Sequence, residues 1–249
     1  MNGPLEGKTA LVTGGSRGVG KGIAQRLVRD GALVVIGYRE DDRTALDAVA
    51  ECDAEHGDGR MHAVRADLTR VAEVAHLFDR AEALVGGLDI LVNNAAVMRR
   101  GTLADSSEEL FDDVLAVNLK GTFFALQQAV HRLREGGRVI NVSSTATALA
   151  HPSQAAYSAS KAAVEQLTRV AAKEFSRRGI TVNSVAPGAV ETERVSATVA
   201  PEVLRQWGRS NAFGRLARPQ DIADVVGFLA GPDSRWVTGQ NLRASGGAL

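Results

Sequence analysis

The chain has 249 residues, with Lys+Arg and Asp+Glu both totalling 29 and a formal net charge of zero. Such a length buries a large shared core without disulfides or metals, and α/β chains of this size commonly form one unit. Balanced charge excludes the basic face of a nucleic-acid binder and a polybasic membrane patch, and no apolar run approaches the roughly 18 residues that span a bilayer.

In chain order, short β-branched runs alternate with longer amphipathic stretches. Strands are expected at Thr9–Thr13, 33–36, 61–64, 89–92, 138–142 and 180–185. Several lack polar alternation, which fits a parallel sheet covered by helices on both faces. Helices are expected at 20–30, Val71–Val85, 108–133 and 155–177. The repeated order implies an α/β fold, a doubly wound, Rossmann-type, mostly parallel sheet forming one domain over residues 1–249. The rhythm breaks between Pro187 and Arg218, where short helical patterns at 192–199 and 202–209 suggest a small lid insertion near 188–218 on the ligand side of the sheet.

The first strand runs into Thr13-Gly14-Gly15-Ser16-Arg17-Gly18-Val19-Gly20, followed by a helix. Glycines let backbone N–H groups approach a phosphate, and the helix N-terminus favours its charge. Alone, such a turn is also compatible with a structural bend; its place after the first strand favours a dinucleotide. The second strand ends at Gly37-Tyr38-Arg39, with Tyr38 where an NAD site usually puts an acid for the ribose 2′-hydroxyl. Arg39 and Arg17 suit a 2′-phosphate, so NADP(H) is favoured over NAD(H). Solvated surface charge, partly neutralised by Glu40, Asp41 and Asp42, is the alternative reading of both arginines.

Tyr157 and Lys161 are four residues apart in a helical pattern and so share a helix face. A neighbouring ammonium stabilises a phenolate and lowers its pKa, which makes proton exchange with a carbonyl oxygen feasible. By itself the pair is also what two ordinary solvent-facing residues look like.

Together these motifs resemble the short-chain dehydrogenase/reductase family over essentially the whole chain. Gly14, Gly18 and Gly20 match its coenzyme turn, with Ser16, Arg17 and Val19 between them; Asn93-Asn94-Ala95 matches its sheet-supporting and adenosine segment; Asp67-Leu68 matches its adenine pair. Asn118, Ser144, Tyr157 and Lys161 reproduce its catalytic tetrad in order, with Ser144 rather than Ser143 at the usual thirteen positions before Tyr157. Pro187, Gly188, Val190 and Thr192 match the segment that holds the nicotinamide carboxamide. Ala96 and Ser245 depart from common glycine and aspartate positions.

The resemblance implies that Tyr157 is the general acid in ketone reduction and the base in reverse. It implies that Ser144 stabilises charge on the carbonyl oxygen, and that Lys161 holds the nicotinamide ribose and depresses the Tyr157 pKa. Asn118 would position a water in a relay to Lys161; read without the family, it is a polar residue kinking its helix. The expected activity is that of an NADP(H)-dependent ketoreductase resembling 3-oxoacyl-thioester reductases, with Gly214-Arg215-Leu216 and Pro219 to Ala223 fitting that group. A sugar, polyol or other secondary-alcohol dehydrogenase is the alternative, and a non-catalytic NADP-sensing protein is the alternative of another class. His151, Gln154, Met98, Arg99, Arg100 and Trp207 are candidates to border a small carbonyl or alcohol substrate. The family implies a homotetramer. No metal is expected, because the five histidines are scattered and Cys52 is alone. The lone cysteine suggests a reducing, cytoplasmic setting, and the opening residues Met1 to Gly7 lack the pattern of a targeting segment.

Overall fold

The computed structural model describes residues 3–249; Met1 and Asn2, part of the opening read for a targeting segment, lie outside them. Strand β1 (Thr9–Thr13) leads into helix α1 (Gly18–Arg29), β2 (Leu33–Tyr38), α2 (Asp42–His56), β3 (Met61–Arg65), α3 (Val71–Val85) and β4 (Leu88–Asn93). The second half contains α4 (Glu108–Leu115), a π-helical turn (Ala116–Gly121), α5 (Thr122–Arg132), β5 (Leu133–Val142), α6 (Ala146–Leu149), α7 (Ala155–Glu174) and β6 (Thr181–Pro187). The lid carries α8 (Glu193–Thr198) and α9 (Pro201–Arg209), and the chain closes with α10 (Pro219–Ala230) and β7 (Asn241–Ala244).

Seven strands form a sheet in the order β3-β2-β1-β4-β5-β6-β7. Every neighbouring pair is parallel, so the doubly wound expectation is met. Strand residues alternate between two cores, as the period of two demands. Val12, Val34, Ile36 and Val92 pack with Ile23 and Leu27 of α1 and Val226 of α10. Leu11, Val35, Leu91 and Val139 pack on the other face with Phe78 of α3, Ala125 of α5 and Phe175 beyond α7. Because the order reverses between β1 and β4, helices leave to opposite faces there and a crevice opens at the strands' carboxyl ends.

Two expected boundaries are corrected. The helix read over 108–133 is three pieces: α4, the π-helical turn and α5, with Leu133 already in β5. The extra residue in that turn accompanies Asn118, which reaches sideways to Val97 and Ser160. The close approach of Gly121 to Leu68, where a Cβ would meet Leu68 Cβ at 3.0 Å, fixes the following turn. The helix read over 155–177 ends at Glu174, and a short 3₁₀ turn covers Ser176–Arg178. The lid lies where expected, and its two ends are joined by a bridge between Val190 and Ala217. Among the described residues, no helix is long and apolar enough to cross a membrane.

Candidate active site and nucleotide cleft

A cleft of about 480 Å³ opens above β1, β2 and β4, within the size range of small-molecule sites. It is lined by Gly14, Ser16, Arg17, Val19 and Gly20 of the glycine turn, Tyr38 and Arg39 at the end of β2, Asp67 and Leu68 after β3, and Asn94 and Ala95 after β4. Gly14 sits at φ +63°, a left-handed conformation, and a Cβ there would lie 2.9 Å from Ala95 Cα. At Gly20 a Cβ would strike the Gly14 carbonyl at 2.1 Å. Side chains at these points would close the cradle, so the turn fits a dinucleotide phosphate.

Asn94 fixes the turn in place. Its amide donates to the carbonyls of Thr13 (3.0 Å) and Gly14 (2.9 Å), while Thr13 Oγ1 accepts from the Asn94 and Ala95 N–H groups at 3.1 Å. Asp67 is held by the Thr69 backbone N–H and hydroxyl. Burial raises its pKa, but those bonds and the charges of Arg39 and Arg70 outweigh burial and leave the carboxyl below its ordinary value. Arg39 pairs with Glu40 at 2.8 Å.

The other expected residues gather beside this cleft, where one face of α7 meets the end of β5. Ser144 hydrogen-bonds the Tyr157 phenol. Lys161 Nζ donates to the Val142 carbonyl at 2.7 Å. Glu165 accepts from the hydroxyls of Ser143 (2.7 Å) and Thr147 (2.9 Å), and Thr168 Oγ1 accepts from the Asn141 amide at 2.8 Å. Asn118 joins this group to the cleft: its side-chain oxygen accepts from Val97 N at 2.8 Å, and its amide donates to the Val97 carbonyl and to Ser160 Oγ. Val97 and Val117 line the cleft itself.

The remaining assignments separate. Thr192 reaches the glycine turn, its methyl 3.3 Å from where a Cβ on Gly18 would be. Pro187 accepts from the backbone N–H and hydroxyl of Thr145, next to Ser144. Gly188 borders a separate cavity of about 190 Å³ with Ser245 and Phe213, and Val190 pairs with Ala217. Among the substrate-side candidates, Gln154 is buried under a bridge to Gly101, His151 is exposed, and Arg99 pairs with Asp113 at 3.5 Å. Arg194, which sequence reasoning passed over, lines the cleft from the lid. Its only sequence signal is its position two residues after Thr192.

The family model described as enoyl-(acyl carrier protein) reductase matches residues 14–248. A short-chain type dehydrogenase/reductase of Picea abies is 41% identical over 98% of this chain and 93% of its own. The chain belongs to the short-chain dehydrogenase/reductase family. It is therefore an oxidoreductase acting between alcohol and carbonyl. The crystal structure of the angucycline C-6 ketoreductase LanV with bound NADP superposes with a TM-score of 0.92 at 42% identity, covering 99% of this chain and 97% of that one. That of the promiscuous reductase LugOII, which catalyses keto-reduction at C1 during lugdunomycin biosynthesis, superposes with a TM-score of 0.92 at 44% identity and 99% of both chains.

Protonation in this short-chain dehydrogenase/reductase differs from the simple expectation. Lys161 was expected to pull the Tyr157 pKa down, yet burial pushes the phenol up, and only the Ser144 hydrogen bond acts against it. The ammonium is satisfied by the Val142 carbonyl instead, and burial brings the Lys161 pKa down from 10.5 to about 8. At neutral pH both groups keep their protons. This shift opposes folding by about 3 kcal/mol, since one pKa unit is worth about 1.4 kcal/mol. Below pH 8 the folded and unfolded chains both hold the proton, and the folded state carries the whole cost. Between about 8 and 10.5 the folded chain releases it first, so stability rises with pH through that window. Denaturant unfolding of the wild type and Lys161→Met at about pH 7 and about pH 10 checks this. The stability difference should move in favour of the wild type by roughly 2–3 kcal/mol at the higher pH; a difference independent of pH would contradict the buried ammonium.

Proposed function

We propose that this chain is an NADP(H)-dependent ketoreductase in which Tyr157 supplies the proton. The observation that carries the reading is the half-buried Tyr157 phenol set against Ser144, where α7 meets the end of β5 beside the glycine-lined cleft. When bound, the nicotinamide supplies the hydride. Gly14, Ser16, Gly18, Val19 and Gly20 would hold the pyrophosphate side of the nucleotide, Asp67, Leu68, Asn94 and Ala95 the adenosine side, and Pro187, Gly188, Val190 and Thr192 the carboxamide end. Lys161 would hold the adjoining ribose. Ser144 donates a hydrogen bond to the substrate carbonyl oxygen, and Tyr157 transfers its proton to that oxygen. Asn118 serves as a positioning residue, because both its amide hydrogens and its side-chain oxygen are engaged by Val97 and Ser160.

Arg17 and Arg39 at the cleft, with Tyr38 in place of an acid, support the 2′-phosphorylated cofactor. The NADP bound in the LanV structure supports it too. The free, buried Cys52, its thiol pushed up to about 11 by burial and by the Asp53 and Glu55 charges, supports a reducing cytoplasm. Exposed Phe111 and Phe123 around the π-helical turn and Val170 on α7 support a homotetramer joined through those helices.

For the substrate, the Gly214-to-Ala223 pattern supports a 3-oxoacyl thioester. The LanV description favours a second reading, a ring ketone of the angucycline kind. NADPH consumption against acetoacetyl thioesters, cyclic and fused-ring ketones and, in the oxidative direction, sugars separates these readings. Activity confined to sugar oxidation would overturn both. With the best ketone, Tyr157→Phe should lower kcat by at least about a thousandfold while leaving NADPH affinity within a few-fold; retained turnover would remove Tyr157 from the reaction. Arg39→Asp should shift the ratio of kcat/KM for NADPH over NADH by about tenfold or more towards NADH, and an unchanged ratio would show that Arg39 does not read the phosphate.

A further inference from the structure

Arg194 is the second residue of α8 and faces the same cleft as Gly14, Ser16, Arg17 and Asn94. Its side chain is exposed and makes no ion pair among the described residues. The start of α8 is fixed by Thr192, whose hydroxyl accepts from Val195 N at 3.3 Å. The Thr192 methyl lies 3.3 Å from where a Cβ on Gly18 would sit. The lid segment therefore crosses the glycine turn two residues before Arg194.

We infer that the Arg194 guanidinium grips the dinucleotide pyrophosphate from the lid side, an inference that rests on the NADP(H) reading above. Charge supports it. Helix α1 starts at Gly18 with no acidic residue in its first turn and no side-chain cap, leaving free N–H groups worth about half a positive charge. A pyrophosphate carries about two negative charges, more than that terminus balances. Of the cleft's arginines, Arg39 pairs with Glu40 at 2.8 Å, while Arg17 and Arg194 make no ion pair among the described residues. Arg194 is the unpaired cation that reaches the cleft from the lid, opposite Arg17 of the glycine turn itself. Because it belongs to the lid, its contact also links nucleotide binding to the position of the segment that borders the substrate.

Isothermal titration of three probes separates this role from that of Arg39. ADP-ribose has the pyrophosphate and lacks the 2′-phosphate, 2′-AMP has the reverse, and NADPH has both. Arg194→Gln should weaken ADP-ribose and NADPH by about tenfold each and leave 2′-AMP within twofold, whereas Arg39→Asp should weaken 2′-AMP and spare ADP-ribose. Arg194→Lys, which keeps the charge without the fork, should recover part of the loss. Unchanged ADP-ribose affinity in Arg194→Gln would overturn the inference, and so would a loss confined to 2′-AMP and NADPH. A wild-type protein that binds none of the three would contradict the NADP(H) reading itself and remove the inference with it.

Discussion

Burial of the Lys161 ammonium against the end of β5 is the constraint on which the site depends. A charged amine out of water destabilises the fold unless something holds it, and here one main-chain carbonyl, that of Val142, does so. Around that contact α7 and β5 are joined residue by residue. Asn141 meets Thr168, Val142 meets Lys161, Ser143 meets Glu165, and Ser144 meets Tyr157. Tyr157, Lys161, Glu165 and Thr168 recur at helical spacing, so one face of α7 reads four successive residues of the strand end. A shift of one turn would break every pair at once. The register of this helix against the strand therefore places a proton donor and a hydrogen-bond donor at the carboxyl edge of the sheet.

The same edge is fixed from the other side by β4. Asn93 donates to Asn141 at 2.9 Å, continuing the chain of buried amides towards Thr168. Its neighbour Asn94 holds the carbonyls of Thr13 and Gly14. Two adjacent asparagines thus couple the proton-transfer cluster to the glycine turn: one locks β4 to β5, the other locks β4 to the exit of β1. Buried polar groups are costly when unpaired and rigid when satisfied. Here they set the relative position of two halves that lie on opposite sides of the switch point.

Much of this was legible in the residues. The β-branched runs 9–13, 33–36 and 89–92 announce strands because both their faces are covered. Tyr157 and Lys161 announce a shared helix face through spacing alone. β7 escaped notice because Asn241–Ala244 is four residues long, partly exposed and polar at two positions. The break in the helix over 108–133 depends on Asn118 reaching Val97 and Ser160, partners that are 21 and 42 residues away and invisible to periodicity. The direction of the Tyr157 shift also lay beyond the sequence, since i, i+4 spacing places an ammonium nearby but says nothing of how deeply the phenol is buried. Arg194 carries no motif of its own; the packing of Thr192 on Gly18 gives it meaning.

The chain contains two tyrosines, Tyr38 and Tyr157, which makes the central claim directly measurable. In a Tyr38→Phe background, ultraviolet titration of phenolate absorbance follows Tyr157 alone. A transition lying above pH 10 in the nucleotide-free protein is expected, because burial outweighs the Ser144 hydrogen bond and keeps the phenol protonated and ready to donate. A phenolate already formed near neutral pH would contradict a proton-donating Tyr157 and the assignment of ketone reduction built upon it.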